Sequence, residues 1–93
     1  MEKPKDSTLD QIEWDILNKL IFRENLASLV EEVGHREGKY VVADVLKGLL
    51  VKGLVQPMVK GDDGVIRASY AFDSDNLEEY YFIVTGKGLD LLN

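Results

Sequence analysis

Val42-Ala43-Asp44-Val45-Leu46-Lys47-Gly48-Leu49-Leu50-Val51-Lys52-Gly53-Leu54-Val55 carries two periodicities in fourteen residues. Before Gly53 the apolar residues recur at helical spacing. After it, Leu54 and Val55 run straight into an alternating, strand-like stretch. The sequence therefore predicts a helix over residues 40–52, a glycine cap at Gly53, and immediate entry into extended chain.

Working downstream, three short strands are expected at residues 54–60, 65–72 and 79–84. Gly61-Asp62-Asp63-Gly64 is a turn by composition, and Asp73-Ser74-Asp75-Asn76 is another. The second turn should join the last two strands as a hairpin. Pro57 lacks an N–H, so its strand should lie at a sheet edge or end near that residue. Thr85 can cap a terminal helical turn over residues 86–92. Upstream, a helix should start at the N-cap Asn25, carry Leu26, Leu29, Val30 and Val33, and end at Gly34, with residues 35–39 connecting it to the next. A first helix is expected over residues 8–22, with Thr8 and Gln11 as its capping box. Residues 1–7 have nothing to pack and read as a disordered leader, leaving one domain at residues 8–92.

The order of three helices, strands and a terminal turn resembles a winged helix, and two motifs sharpen the likeness. Residues 42–55 resemble the recognition helix and Lys-Gly-Leu exit of small bacterial winged-helix transcriptional regulators. Tyr81-Phe82-Ile83-Val84-Thr85-Gly86-Lys87-Gly88-Leu89-Asp90-Leu91-Leu92 is similar to the strand-Thr-x-x-Gly-x-x-Leu-Leu close of such domains. Leu29-Val30-Glu31-Glu32-Val33-Gly34 also looks like the helix preceding the recognition helix. The resemblance implies an α+β fold: a three-helix bundle, a C-terminal β-hairpin or three-stranded wing, and a short terminal helix. It also implies that the third helix enters the DNA major groove while the wing touches the backbone or the minor groove.

Charge complicates that function. The 93 residues carry 17 acidic and 11 basic side chains, net −6. Residues 1–24 are net −2, residues 25–60 net +1 and residues 61–93 net −5. Affinity for duplex DNA rests largely on cations neutralising phosphates, which an acidic wing opposes. The candidate DNA contacts are Arg36, Lys39, Tyr40 and Lys47 around the third helix, with Lys60 and Arg67 in the wing. Arginine, asparagine and glutamine, the favoured readers of base edges, do not occupy the third helix's early exposed positions. Lys39 and Lys47 read either as phosphate contacts or as a solvated helix face, and Tyr40 either as a contact or as a packed aromatic.

The third helix is also rich in valine and leucine. Val41, Val42, Val45, Leu46, Leu49, Leu50 and Val51 exceed one core-facing stripe, so a second side meets either another chain or the first helix and hairpin. Tyr70, Phe72, Tyr80, Tyr81 and Phe82 read as two faces of one sheet or as an exposed aromatic patch.

Other chemistries lack their residues. With no cysteine and one histidine, His35, a zinc site would need three or more carboxylates. The run Asp73-Ser74-Asp75-Asn76-Leu77-Glu78-Glu79 begins like a calcium loop but has Leu77 and Glu78 where a ligand and a glycine are required. No serine has a nucleophile-elbow context, and Gly86-Lys87-Gly88 lacks the spacing of a phosphate loop. No cofactor or enzymatic activity is expected, and no apolar run is long enough to span a membrane. Two readings stand: a small cytoplasmic DNA-binding regulator, or a protein interaction module with an acidic wing and an apolar third helix. The expected partners are duplex DNA, a second copy of the chain, or another protein.

Overall fold

Gly53 takes the left-handed conformation (φ 75°). Its N–H donates to the Leu50 carbonyl at 3.1 Å, and the Leu54 N–H donates to the Leu49 carbonyl at 3.0 Å. This pair of bonds closes the helix as a Schellman motif and redirects the chain into a strand. In the computed structural model, residues 3–33 and 38–93 are described, and the helix that Gly53 ends is α3, Gly38–Val51. The other elements are helix α1 (Gln11–Lys19), strand β1 (Glu24–Asn25), helix α2 (Leu26–Val33), strands β2 (Val55–Lys60) and β3 (Ile66–Ala68), a single 3-10 turn (Leu77–Glu79), strand β4 (Tyr81–Val84) and helix α4 (Gly86–Leu92). The fold is α+β, with four helices and one four-stranded antiparallel sheet among the described residues, in the order β1-β4-β2-β3.

Local chemistry accounts for most element ends. The first helix starts at Gln11, not Thr8, because Asp10 and Glu13 form the capping box. The Asp10 carboxylate accepts from the Glu13 N–H at 2.9 Å, and Glu13 accepts from the Asp10 N–H at 3.1 Å. Two carboxylates at a helix N-terminus are favoured over the neutral Thr8–Gln11 pair. The helix stops at Lys19, short of Phe22. Beyond it the Leu20 carbonyl accepts from the Val84 N–H at 2.8 Å, which ties the end of α1 to β4. Asn25 caps α2 as expected, accepting from the Ser28 N–H at 2.9 Å. The expected helix end at Gly34 lies outside the described residues.

The sheet departs from the sequence expectation in three ways. Strand β1, too short to show any periodicity, pairs Glu24 with Phe82 and Asn25 with Tyr81. The expected hairpin between residues 65–72 and 79–84 does not form. Instead β2 pairs with β3 across the Gly61–Gly64 turn, and also with β4 on its other side, Val55 opposite Val84 and Met58 opposite Tyr81. Beyond Ala68 the chain leaves the sheet, and residues 69–80 fold back so that Phe72, Leu77 and Tyr80 pack on the core. Strand β2 is therefore central, and Pro57 does not lie at a sheet edge. Pairing of β2 with β3 does run out beside it, at Met58 opposite Ala68.

The core lies between the three long helices and one sheet face. Ile16, Leu17, Leu20, Leu29, Val42, Leu46, Leu49 and Phe82 are fully buried there. On α3 the buried positions are Val42, Leu46, Leu49 and Leu50, a single stripe with Val45 half-buried beside it. Val41 and Val51 stand exposed, so the surplus valines are not covered by the first helix and hairpin. Neither two faces of one sheet nor a single exposed patch describes the aromatic run. In β4 Phe82 is buried and Tyr81 lies on the opposite face. Phe72 and Tyr80 pack on the core from outside the strands, with Tyr80 6.3 Å from Phe82, and Tyr70 is wholly exposed.

The two motifs that carried the family resemblance meet in space. The Thr85 hydroxyl donates to the Gly53 carbonyl at 2.7 Å, the Thr85 N–H to the Leu54 carbonyl at 3.0 Å, and the Lys87 ammonium to the Lys52 carbonyl at 3.1 Å. Thr85 also accepts from the Gly88 N–H as the N-cap of α4. The start of α4 thus satisfies the carbonyls of the turn that leads out of α3 into β2.

Candidate functional site

Residues three and four apart share a helix face, so Tyr40, Ala43 and Lys47 of α3 stand together, with Lys39 at their edge. They form one wall of an open cleft of about 370 Å³. Tyr40 is 83% exposed, which places it on the surface and not in the core or as a packed staple. Lys47 lies 3.9 Å from Asp44, one helical turn away.

The opposite wall is Ser74, Asp75, Leu77 and Glu78. Leu77 is buried to 2% and anchors this acidic run to the core. The run is ordered from within. The Asp73 carboxylate accepts from the Asp75 N–H at 3.0 Å and from the Asn76 amide at 2.6 Å, and the Asp73 N–H donates to the Tyr80 hydroxyl at 2.9 Å. The Asn76 amide and then the Asp75 N–H hold the Asp73 carboxyl below its ordinary range. Asp75 and Glu78 remain exposed at the cleft, and no ion pair spans it among the described residues.

The other expected contacts lie elsewhere. Arg36 falls outside the described residues. Lys60, exposed at the end of β2, stands opposite Ile66 in the hairpin. Arg67 is clamped to Asp63 through two hydrogen bonds, at 2.7 and 3.2 Å. That bond raises the Arg67 pKa and, with the Val65 N–H, lowers that of Asp63. One of the two cations expected in the wing, Arg67, is thus already paired within its own turn. The structure brings Lys39, Tyr40 and Lys47 together and leaves Lys60 and Arg67 apart from them.

The sequence reading missed the acidic wall. Its one signal was Leu77, an apolar residue inside a run of acids, which marks a segment that must return to the core. The resulting site is amphoteric, with ammonium groups on one side, carboxylates on the other and an exposed phenol at the lip. Among the described residues, no three histidine or acidic side chains gather as a metal-holding group, and no helix is long and apolar enough to cross a membrane. No family model matches the chain, and neither does any curated protein or solved structure.

Proposed function

We propose that this chain is a winged-helix-type binding module that acts without catalysis, and that the cleft beside its third helix takes a protein segment of mixed charge. The observation that carries this is the acidic wall. Asp75 and Glu78 stand across from the face that would have to approach DNA phosphates, and carboxylates there oppose such an approach. The paired state of Arg67 removes a further phosphate contact. The winged-helix arrangement is supported by the helix-helix-helix-hairpin order and by the docking of the Lys52-Gly53-Leu54 and Thr85-Gly86-Lys87-Gly88 motifs.

A second reading, a small DNA-binding regulator, is favoured by Lys39, Tyr40 and Lys47 sharing one accessible face. Fluorescence anisotropy of a generic labelled duplex, titrated at low salt and again as salt rises, separates the two. The module reading expects no binding even at low salt. Binding that weakens linearly in log salt, and that is lost in the Lys39→Ala, Lys47→Ala double variant, would establish phosphate contacts and the DNA reading instead. Asp75→Asn with Glu78→Gln tests the wall itself: if it excludes DNA, its neutralisation should produce measurable binding.

A further inference from the structure

The turn between β2 and β3 holds the sequence's one Asp-Gly step, Asp63-Gly64, and the sequence has no Asn-Gly step. A main-chain nitrogen can attack the side-chain carboxyl of the aspartate before it, and a glycine nitrogen approaches most freely because no Cβ stands beside it. In that reaction the Gly64 nitrogen bonds to Cγ of the protonated Asp63 carboxyl. Its hydrogen and the carboxyl OH leave together as one water molecule, and a five-membered succinimide closes. Water then breaks one of the two ring C–N bonds. Breaking the bond to Cγ restores aspartate. Breaking the bond to the main-chain carbonyl carbon leaves isoaspartate, with the chain running through the former side chain.

The turn opposes ring closure at both reacting groups. The Gly64 N–H donates to the Gly61 carbonyl at 2.9 Å, and that hydrogen must leave before the ring can form. Asp63 Oδ1 accepts from the Val65 N–H at 3.0 Å and from Arg67 at 3.2 Å, while Oδ2 accepts from Arg67 at 2.7 Å. A forked guanidinium fixes the plane of a carboxylate as well as its charge. The Arg67 fork, with the Val65 N–H, holds the Asp63 carboxyl below its ordinary pKa and so keeps the protonated, reactive form scarce. The Arg67 and Asp63 side chains are 58% and 53% exposed, so solvent reaches the turn.

We propose that Asp63-Gly64 is this chain's site of spontaneous isoaspartate formation, and that Arg67 sets the rate by clamping the Asp63 carboxylate. The reaction needs only water and is slow. Its product lengthens the β2–β3 turn by one main-chain carbon and moves the carboxylate, so the fork from Arg67 no longer fits. An aged chain therefore presents Arg67 free of its clamp on the hairpin. None of this depends on what the third-helix cleft binds.

Ageing the full chain at neutral pH and physiological temperature, then mapping its peptides by electron-transfer mass spectrometry, measures isoaspartate residue by residue. Residue 63 should accumulate it, more slowly than in a free peptide spanning residues 60–66. Arg67→Ala should raise the rate at residue 63 roughly two- to fivefold, the range over which an exposed ion pair biases an equilibrium. Arg67→Lys, which keeps the charge but not the fork, should fall between Arg67→Ala and the parent chain. Asp6-Ser7 and Asp73-Ser74, aspartates followed by another small residue, serve as internal references and should keep their parent rates. Isoaspartate that forms first at another residue overturns the site. Equal rates at residue 63 in the parent chain and in both Arg67 variants overturn the role of Arg67. So does a rise in Arg67→Ala that the two reference steps share, since the whole chain has then loosened, with thermal unfolding as the check.

Discussion

The side-chain amide of Gln56 donates to the main-chain carbonyl of Ser69 at 2.7 Å, filling the place of the N–H that Pro57 lacks. Residue 57 stands opposite residue 69 where the β2–β3 register runs out. The Ser69 N–H donates to the Pro57 carbonyl at 2.9 Å, but Pro57 cannot return the bond. The amide of the preceding residue returns it instead, and its second hydrogen reaches the Pro57 carbonyl at 2.9 Å. A proline is thereby tolerated in a strand that has neighbours on both sides.

Gln56→Met keeps the shape and removes the donor, so it should cost about 1–2 kcal/mol. Thermal unfolding should show this as a lower Tm. Pro57→Val restores the N–H, and in the Gln56→Met background it should recover part of the loss. A double-mutant cycle that is strictly additive would show that the two groups do not substitute for one another.

Two glycines should respond to alanine in opposite directions. A Cβ on Gly88 would overlap the Leu54 carbonyl oxygen and crowd Val84, so Gly88→Ala should destabilise by ~1–3 kcal/mol. Gly48 sits inside α3 with open space where a Cβ would go, and Gly48→Ala should stabilise by ~0.5–1 kcal/mol through helix propensity. Paired denaturant curves would reveal the sign of each.

Thr85 both caps α4 and binds the end of α3. Thr85→Ala should lose about 1–2 kcal/mol, the range of a lost N-cap. Thr85→Ser, which keeps the hydroxyl, should retain most of the stability. Equal losses in the two variants would assign the effect to the methyl group and not to the hydrogen bonds with Gly53 and Gly88.

Glu13 gives stability a dependence on acid. Partial burial pushes its pKa up, but the Asp10 N–H and the Lys52 ammonium at 3.1 Å outweigh this and hold it below its ordinary value. A carboxylate with a depressed folded pKa contributes stability that is present above its unfolded pKa, about 4.3, and is lost as pH falls through the folded one. Glu13→Gln preserves a capping partner and removes the charge. It should lower stability by about 0.5 kcal/mol at pH 7 and show no difference from the parent chain near pH 3. A gap in Tm that persists unchanged into acid would place the effect outside the ion pair.

The elements whose signals are local were legible in the sequence. The helix-to-strand step at Gly53, the Asn25 cap, the Gly61–Gly64 turn and the Thr85-capped helix each depend on a few adjacent residues, whose backbone preferences act before any tertiary contact forms. That Tyr40 and Lys47 share a side of α3 follows from helical spacing, whereas the exposure of Tyr40, which reads in the sequence equally as a packed aromatic, was decided by the fold. The start of α1 was misplaced because Thr8 and Asp10 both fit the cap, and only the reciprocal bonds with Glu13 separate them.

Strand pairing and the second wall of the cleft were settled by tertiary structure. The order β1-β4-β2-β3 depends on contacts across tens of residues, and nothing in residues 65–84 states which strand is the partner. Asp75 and Glu78 reach the face of α3 because Leu77, more than thirty residues from Tyr40, gains more from burial in the core than from lying in a solvated turn. Burial is summed over the whole chain, so the charge facing the third helix could be known only once the core had formed.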